Sequence, residues 1–315
     1  MIKYYQTVDG RLEEQSDYSR GCWINVVDPD DEEVSELIEK YSVDPEYIRS
    51  SLDEEESSRI ESEDGSTLII MDMPVIDKQK TGGETVVYST MPVGIIVTPD
   101  NVITVSIRDN SVIHEMADGM VKGVNPTFKT QFVFMLLLRM SARYLQYLKQ
   151  MDKISSGLEK ELRKSMRNRE LIGLLDLEKS FVYFQTSLKS DESTLEKILR
   201  GRYLKLYEED QELLEDVLVE VKQAVEMVGI YLSILSGTMD AFASVISNNL
   251  NIVMKVLTSI TVLMAIPTMI FSFYGMNIGE EAGGLPFAGT IWIPCAVAAV
   301  ITAVVAWFLY KKDMF

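Results

Sequence analysis

The sequence has 315 residues, of which 47% are hydrophobic and 25% charged, and its formal net charge at neutral pH is -18. Such an acidic chain is a poor partner for nucleic acid or for an anionic lipid surface, so cations are its natural counterparts. Its two cysteines, Cys22 and Cys295, are too few for a disulfide framework or a thiolate metal cage. The sequence also contains no P-loop, no dinucleotide-binding turn and no nucleophile beside a base. We therefore expect neither an enzyme nor an ATP-driven machine.

Residues 1–125 predict a mixed α/β domain around a largely antiparallel sheet. Two short helices should pack on this sheet, one after Asp30 and one near Pro45. No apolar run follows Met1, so we expect no signal peptide and a domain that stays in the cytoplasm. Runs rich in β-branched residues between turn residues predict the strands. These runs are residues 2–6, 11–14, 22–27, 67–76, 85–91, 93–98 and 102–107.

Two features of this domain invite interpretation as a metal site. The acidic residues between Asp53 and Asp64 suggest a calcium loop, but no register with a central glycine and a closing glutamate passes through them. A solvated helix end and turn is therefore favoured. His114, the single histidine, lies in a helical pattern without a Cys or His companion, which favours a structural or exposed imidazole over a metal ligand.

Residues 126–207 predict an antiparallel helical hairpin. Apolar residues recur at helical spacing from Phe132 to Met151, so the first helix should run from Pro126 to about Met166. The second should cover residues 170–199. The turn between them is basic, which indicates either a solvated tip or a contact with anionic headgroups or with acids of a neighbouring subunit. Its basic residues are Arg163, Lys164, Arg167 and Arg169.

A third helix is predicted from about Glu208 and continues without a strong break into an apolar run. Its first part, residues 208–251, is acidic and reads as a stalk. The second part, residues 252–274, reads as a membrane span, because the uncharged stretch from 256 to 274 can cross a hydrocarbon core of ~30 Å at 1.5 Å per residue. The whole element would be ~100 Å long, far more than a globular domain needs.

Polar and small side chains on this span follow one stripe. Such a face is turned away from lipid, toward a partner helix or a water-filled lumen. Steps of four and three residues from Asp240 reach Ser244, Ser247, Asn251, Met254, Thr258, Thr261, Ala265, Thr268 and Ser272.

A second span follows a loop that contains acids and glycines. The loop is predicted at residues 275–290, the second span at 291–310 and a basic tail at 311–315. Lys255 precedes the uncharged stretch of the first span, and Lys311 and Lys312 follow the second span, whereas the loop has no lysine. The positive-inside rule therefore places both termini in the cytoplasm of a cell-membrane protein with two spans.

The motif NIVMKVLT, followed by a proline-containing apolar run, YGMN, a second apolar segment and a Lys-Lys tail, resembles the CorA family of divalent-cation channels. The resemblance covers most of the chain and is strongest from about Gln211 onward. It implies a homopentameric funnel in the lipid bilayer that passes Mg²⁺, with Co²⁺ or Ni²⁺ as further ions, and no organic cofactor. Two spans cannot enclose a pore alone, so several copies are needed in any case.

The resemblance assigns roles at the outer end of the pore. Gly275, Met276 and Asn277 correspond to the selectivity motif. A ring of Asn277 amides would hydrogen-bond the hydration shell of Mg²⁺ without stripping it. Glu280 and Glu281 would raise the local cation concentration at the outer mouth.

Further in, the resemblance implies a polar ring at Asn251 and an apolar constriction at Met254 and Leu257 that gates by dewetting. Pro267 lies seven residues before Tyr274, where eight are expected in the family, so the rotation of the outer half of the span is left open. The other predicted pore-lining residues are Thr258, Thr261, Ala265, Thr268 and Ser272.

The resemblance also implies a regulatory Mg²⁺ site between neighbouring subunits. Its ligands correspond to Asp77, after a strand, and Asp216, on the stalk. Two such carboxylates repel each other, and a shared divalent ion would turn this repulsion into a clamp that favours the closed state.

Two alternatives stay open at this point. The same scaffold can carry a transporter for Zn²⁺ or another divalent cation, which uptake assays with each ion would separate from a Mg²⁺ channel. The chain can also be a membrane-tethered oligomeric scaffold that conducts nothing, and an ion-flux measurement in liposomes would decide that.

Overall fold

The computed structural model describes residues 1–77, 87–165, 168–201, 203–204, 206–276, 290–312 and 314. They fall into two compact units, Met1–Gly237 and Thr238–Phe315. The division lies within one helix.

The first unit contains a sheet of seven strands in the order β2-β1-β3-β7-β6-β5-β4. The pair β3 and β7 is parallel and the other pairs are antiparallel, so the prediction of a mixed, largely antiparallel sheet is confirmed. The strands are β1 (Ile2–Val8), β2 (Arg11–Gln15), β3 (Trp23–Val27), β4 (Arg59–Glu63), β5 (Ser66–Asp77), β6 (Val87–Val97) and β7 (Val102–Ser106).

Two helices cover one face of this sheet, as predicted. Helix α1 (Asp31–Tyr41) begins at a capping box, in which Asp30 accepts from the Glu33 amide and Glu33 accepts from that of Asp30. Helix α2 (Pro45–Ser51) follows directly. Leu37 of α1 is buried together with Ile24 of β3, and alternation along a strand assigns this face to the even-numbered residues of β3.

The opposite face is covered by α3 (Ser111–Ala117), α4 (Lys129–Ser165) and α5 (Asn168–Leu199). The rings of Trp23 and Phe132 lie 5.3 Å apart between β3 and α4. Glu115 of α3 pairs with Arg139 and Arg143 of α4. The helical hairpin was predicted from its apolar periodicity, and its helices end within a few residues of the predicted positions.

Strand β6 corrects the prediction of two separate runs at 85–91 and 93–98. It is continuous through Pro92, which lies opposite Asp72 of β5. The Asp72 amide donates to a side chain of α5, so it points away from β6. In antiparallel pairing, the position of the missing Pro92 N–H then also points outward, toward β7. Because β7 pairs only with Val93 and later residues, no hydrogen bond is lost.

Strand β4 was not predicted, because its acids were interpreted as a helix end and turn. Arg59–Glu63 instead forms an edge strand paired with β5. The two strands are joined by Asp64 and Gly65, with φ of 48° and 81°. Asp-Gly between paired strands is a typical signal for a tight hairpin turn, so the sequence did contain a sign of this strand.

A buried carboxyl group, Asp191 of α5, supports the sheet at the point where β4 begins. Its Oδ1 atom accepts from the Ser58 hydroxyl at 2.6 Å and from the Asp72 amide at 3.0 Å. Asp191 is fully buried, and its Oδ2 atom has no hydrogen-bond partner among the described residues. The side chain therefore satisfies a backbone amide of β5 that β4 is too short to reach.

The remaining helices are α6 (Glu208–Tyr274), with 67 residues, and α7 (Trp292–Lys311), with 20 residues. Both agree with the sequence prediction of one long helix that becomes a span and of a second span near the C-terminus. Pro267 lies inside α6.

Candidate ion pathway and regulatory carboxylates

Two helices among the described residues are long and apolar enough to cross a membrane, namely α6 and α7. Only 6% and 11% of their most apolar windows are buried. A helix in the core of a soluble protein would be mostly buried, so these apolar surfaces are typical of helices that face lipid or further copies of the chain.

Each span has one buried stripe. On α6 it includes Ser259 and Ile270, with Leu263 half-buried between them. On α7 it includes Pro294 and Ala298. The Ser259 hydroxyl donates to the Met314 carbonyl at 2.9 Å, so the C-terminal end of the chain lies against the buried stripe of α6.

The predicted polar stripe of α6 lies on the other side of the helix. Thr261 and Ile270 are separated by nine residues, which is about 2.5 turns at 3.6 residues per turn, so they point in opposite directions. In the single chain the whole stripe is exposed. Its members on the span and just before it are Asn251, Met254, Thr258, Thr261, Ala265, Thr268 and Ser272, and Leu257 beside them is exposed as well.

Two hydroxyl groups in this stripe form hydrogen bonds within the helix. Thr261 donates to the Leu257 carbonyl at 2.8 Å, and Thr268 donates to the Met264 carbonyl at 2.9 Å. A hydroxyl group that donates its single proton in this way can still accept hydrogen bonds through its lone pairs. Both side chains can therefore accept hydrogen bonds from water, including water in the shell of a cation.

Gly275, directly after α6, continues the helical hydrogen-bond pattern. The Gly275 amide donates to the Phe271 carbonyl at 2.9 Å, which continues the helical pattern. Gly275 is not among the described glycines with positive φ, so its backbone conformation does not require glycine. Met276 is exposed, whereas Asn277, Glu280 and Glu281 lie outside the described residues.

The two predicted regulatory carboxylates lie in different surroundings. Asp77 ends β5 and is 6% exposed, beside a cavity of about 540 Å³ that Glu54 and Arg108 also line. Asp216 is exposed on α6, between the buried Leu214 and Val217. The described part of one chain brings no three His, Cys, Asp or Glu side chains together for a metal. Mg²⁺ keeps several waters and often takes only one or two carboxylates, so the prediction of a site shared between subunits stays untested.

The other candidate from the sequence, His114, is an exposed side chain of α3. Its Nε2 atom lies 3.2 Å from Asp109 Oδ2, so it contacts a surface carboxylate. Ser259 was missed, because its hydroxyl falls outside the polar stripe and the sequence does not say which face of a span meets the rest of its own chain.

Comparison with known proteins supports the resemblance to the CorA family. A family described as "CorA-like Mg2+ transporter protein" matches residues 18–312. The cobalt/magnesium transport protein CorA of Methanocaldococcus jannaschii is 28% identical over 97% of this chain and 95% of its own length.

Solved structures show that the fold is shared. The complete structure of the CorA magnesium transporter from Methanocaldococcus jannaschii aligns with a TM-score of 0.79 and 22% identity, over 99% of this chain and 96% of that one. The full-length CmaX protein aligns with a TM-score of 0.73 and 14% identity, over 100% of this chain and 98% of that one. Since the family match extends over most of its length, the chain belongs to the family of CorA-like Mg²⁺ transporter proteins.

Proposed function

We propose that this protein is a homopentameric channel in the cell membrane that passes Mg²⁺ passively, driven by the membrane potential, and that Co²⁺ and Ni²⁺ use the same path. Lys255, Lys311 and Lys312, next to the uncharged stretches of the two spans, support a cytoplasmic location of both termini. Membership of a family of Mg²⁺ transporters supports divalent cations as the cargo.

The exposed polar stripe of α6 is the observation that carries the proposal. A row of hydroxyl, amide and small side chains is costly in lipid, and it faces away from the buried stripe of its own helix. A ring of identical copies would bring these stripes to a common axis, where water covers them. The resemblance to the CorA family implies five copies in this ring.

Selectivity is assigned to the end of this helix. Mg²⁺ gives up its waters reluctantly, so neutral amide oxygens that hydrogen-bond the hydrated ion discriminate at a lower desolvation cost than direct ligands do. Gly275, Met276 and Asn277 would form this ring, with Glu280 and Glu281 concentrating cations outside it.

Gating is assigned to the cytoplasmic half of the span. Asn251 forms a polar ring, and the exposed apolar side chains of Met254 and Leu257 form a constriction that excludes water when closed. Mg²⁺ between Asp77 of one subunit and Asp216 of the next would hold the closed state, so that low cytoplasmic Mg²⁺ opens the pore.

The test is ion flux through the purified protein in liposomes with an imposed membrane potential. We expect uptake of Mg²⁺ without ATP, and loss of its preference over Ca²⁺ and Na⁺ in Asn277→Ala with the oligomer size unchanged. Absence of any flux would favour a non-conducting scaffold, and faster flux of Zn²⁺ than of Mg²⁺ would identify a zinc transporter. Wild-type selectivity in Asn277→Ala would show that the Asn277 amides do not form the selectivity ring.

A further inference from the structure

The sheet has a switch point at the carboxyl ends of its two parallel strands. The chain leaves β3 toward α1 on one face, whereas it leaves the neighbouring β7 toward α3 on the other face. Strands whose connections leave to opposite faces open a crevice outside their carboxyl ends, and crevices of this kind are common ligand sites in α/β proteins. This place is separate from the spans and from the two regulatory carboxylates.

A cavity of about 440 Å³ lies at this switch point, between the sheet and α3. Its volume is in the range of roughly 300–1,000 Å³ that is typical of small-molecule sites. Its lining combines groups of both charges with apolar surface and includes Lys3, Tyr5, Asn25, Asp28, Asp109 and His114.

The orientation of the Asn25 amide follows from its neighbours. The Trp23 indole N–H, which can only donate, donates to Thr104 Oγ1 at 2.8 Å. Thr104 then donates its own proton to Asn25 Oδ1 at 3.0 Å. The oxygen of Asn25 therefore faces Thr104, and the NH₂ group is the other end of the amide.

Asn25 is 7% exposed, and no hydrogen bond joins its NH₂ group to a described residue, although its nitrogen is not among the fully buried polar atoms. The NH₂ group is therefore open to the cavity, where water or a ligand can accept from it. Because Asn25 lines the cavity, we expect this group to bind an acceptor there. The NH₂ group is a donor, so Asn25 itself is not a ligand for a bare metal ion.

A positive charge lies beside this donor. Lys3 of β1 is the direct cross-strand partner of Asn25, so both side chains stand on the same face of the sheet. The Lys3 ammonium donates to Glu14 Oε2 at 2.9 Å, which leaves two of its three N–H groups for another acceptor. Lys3 and Asn25 together suit a carboxylate.

The rim of the cavity has the opposite charge. Asp28 follows β3 and Asp109 follows β7, and since Val27 and Ser106 are paired in register, both acids lie at the same edge of the sheet. His114 Nε2 lies 3.2 Å from one oxygen of Asp109, and both Asp28 and Asp109 are exposed. A cationic group at the rim would therefore be attracted to two carboxylates.

We propose that this cavity binds a small zwitterion of the amino-acid type. Its carboxylate accepts from Lys3 and Asn25 at the inner end, and its ammonium group lies between Asp28 and Asp109 at the rim. The site adds a small-molecule input to the cytoplasmic unit, independent of the ion pathway.

The test is isothermal titration of the full-length protein in detergent with three probes, namely L-alanine, acetate and ethylammonium. Two recognised charges bind better than one, so we expect L-alanine to bind about tenfold or more tightly than either fragment. Lys3→Met, at a half-exposed position, and Asn25→Asp, which keeps the acceptor for Thr104, should each weaken L-alanine binding about tenfold. Lys149→Met removes the same charge from outside the cavity and should have no effect.

Three results would overturn the proposal. The first is the absence of any heat of binding with L-alanine up to about 10 mM. The second is an equal affinity for acetate and L-alanine, which would indicate a plain anion site. The third is an unchanged affinity for L-alanine in Lys3→Met. Because the titration involves no ion flux, its outcome does not depend on whether the protein conducts Mg²⁺.

Discussion

The buried carboxyl group of Asp191 predicts that the stability of the first unit, Met1–Gly237, depends on pH. Burial raises the pKa of Asp191 well above its usual range, and the nearby carboxyl of Asp72 raises it further, while hydrogen bonds from Ser58 and the Asp72 amide oppose the shift. The pKa of Asp72 is itself raised by burial. In the folded protein Asp191 therefore keeps its proton at pH values where an unfolded chain has lost it.

The direction of the effect follows from this difference. Between the unfolded pKa of 3.8 and the raised folded pKa, the native state binds more protons than the unfolded state. Stability is fully present below the unfolded pKa and is lost as pH rises toward and through the folded pKa. The free energy of unfolding should fall by up to about 1.4 kcal/mol per pH unit for this one proton.

The substitution Asp191→Asn tests the contribution of this one proton. Asparagine keeps the oxygen that accepts from Ser58 and Asp72 but cannot ionise, so the variant should lose this contribution to the pH dependence. Its NH₂ group replaces Oδ2, which has no partner among the described residues, so the variant should be less stable than wild type by about 1–3 kcal/mol at acidic pH. The two stabilities should converge as pH rises.

The assay is urea unfolding of the full-length protein in detergent from about pH 5 to about pH 9, with Asp176→Asn, a half-exposed site on the same helix, as the control. We expect the free energy of unfolding of wild type and of the control to fall more steeply with pH than that of Asp191→Asn. Equal slopes in wild type and Asp191→Asn would show that Asp191 is ionised in the fold, and the reasoning would fail.

Three further predictions concern the pore, the sensor and the sheet. Leu257→Gly should increase ion leak through the closed channel, whereas Val262→Gly, about 140° around the helix, should not, as measured by flux at high cytoplasmic Mg²⁺. Asp77→Asn combined with Asp216→Asn should weaken closure by Mg²⁺ and Mg²⁺ protection of the stalk from protease, because two carboxylates ~4 Å apart repel by up to ~4 kcal/mol until an ion bridges them. Gly94→Ala should lower the free energy of unfolding by about 1–3 kcal/mol in urea, since its Cβ would lie 2.5 Å from the buried Ser51 Cβ.

Each of these predictions has an outcome that contradicts it. Equal ion leak in Leu257→Gly and Val262→Gly would show that Leu257 does not form the constriction. Wild-type inhibition by Mg²⁺ in the double variant would place the sensor elsewhere, with the other acids of the stalk as the next candidates. For the sheet, Gly157→Ala is the control, because its Cβ meets nothing within 4 Å on α4 and should stabilise the helix by about 0.5–1 kcal/mol. Equal effects of the two alanines would mean that α2 moves away from β6 at no cost.

The sequence by itself determined the helical part of this protein. Helical periodicity and apolar length are local properties, so the hairpin of α4 and α5, the start of α6 at Glu208 and both spans could be predicted closely. The polar stripe was also visible in the sequence, because 3.6 residues per turn relate spacing directly to direction. The selectivity motif rests on resemblance alone, since Asn277 lies outside the described residues.

Only the tertiary structure decided which of these residues meet. The passage of β6 through Pro92 depends on where the neighbouring strand β7 ends, which no local pattern contains. The burial of Asp191 depends on a contact with Ser58, 133 positions away in the chain. Likewise, Asn25 and Thr104 read as ordinary strand residues until the parallel pairing of β3 and β7 places them side by side. Pairing and burial of this kind are set by contacts distant in sequence, and for that reason the chemistry of the switch point appears only in the folded chain.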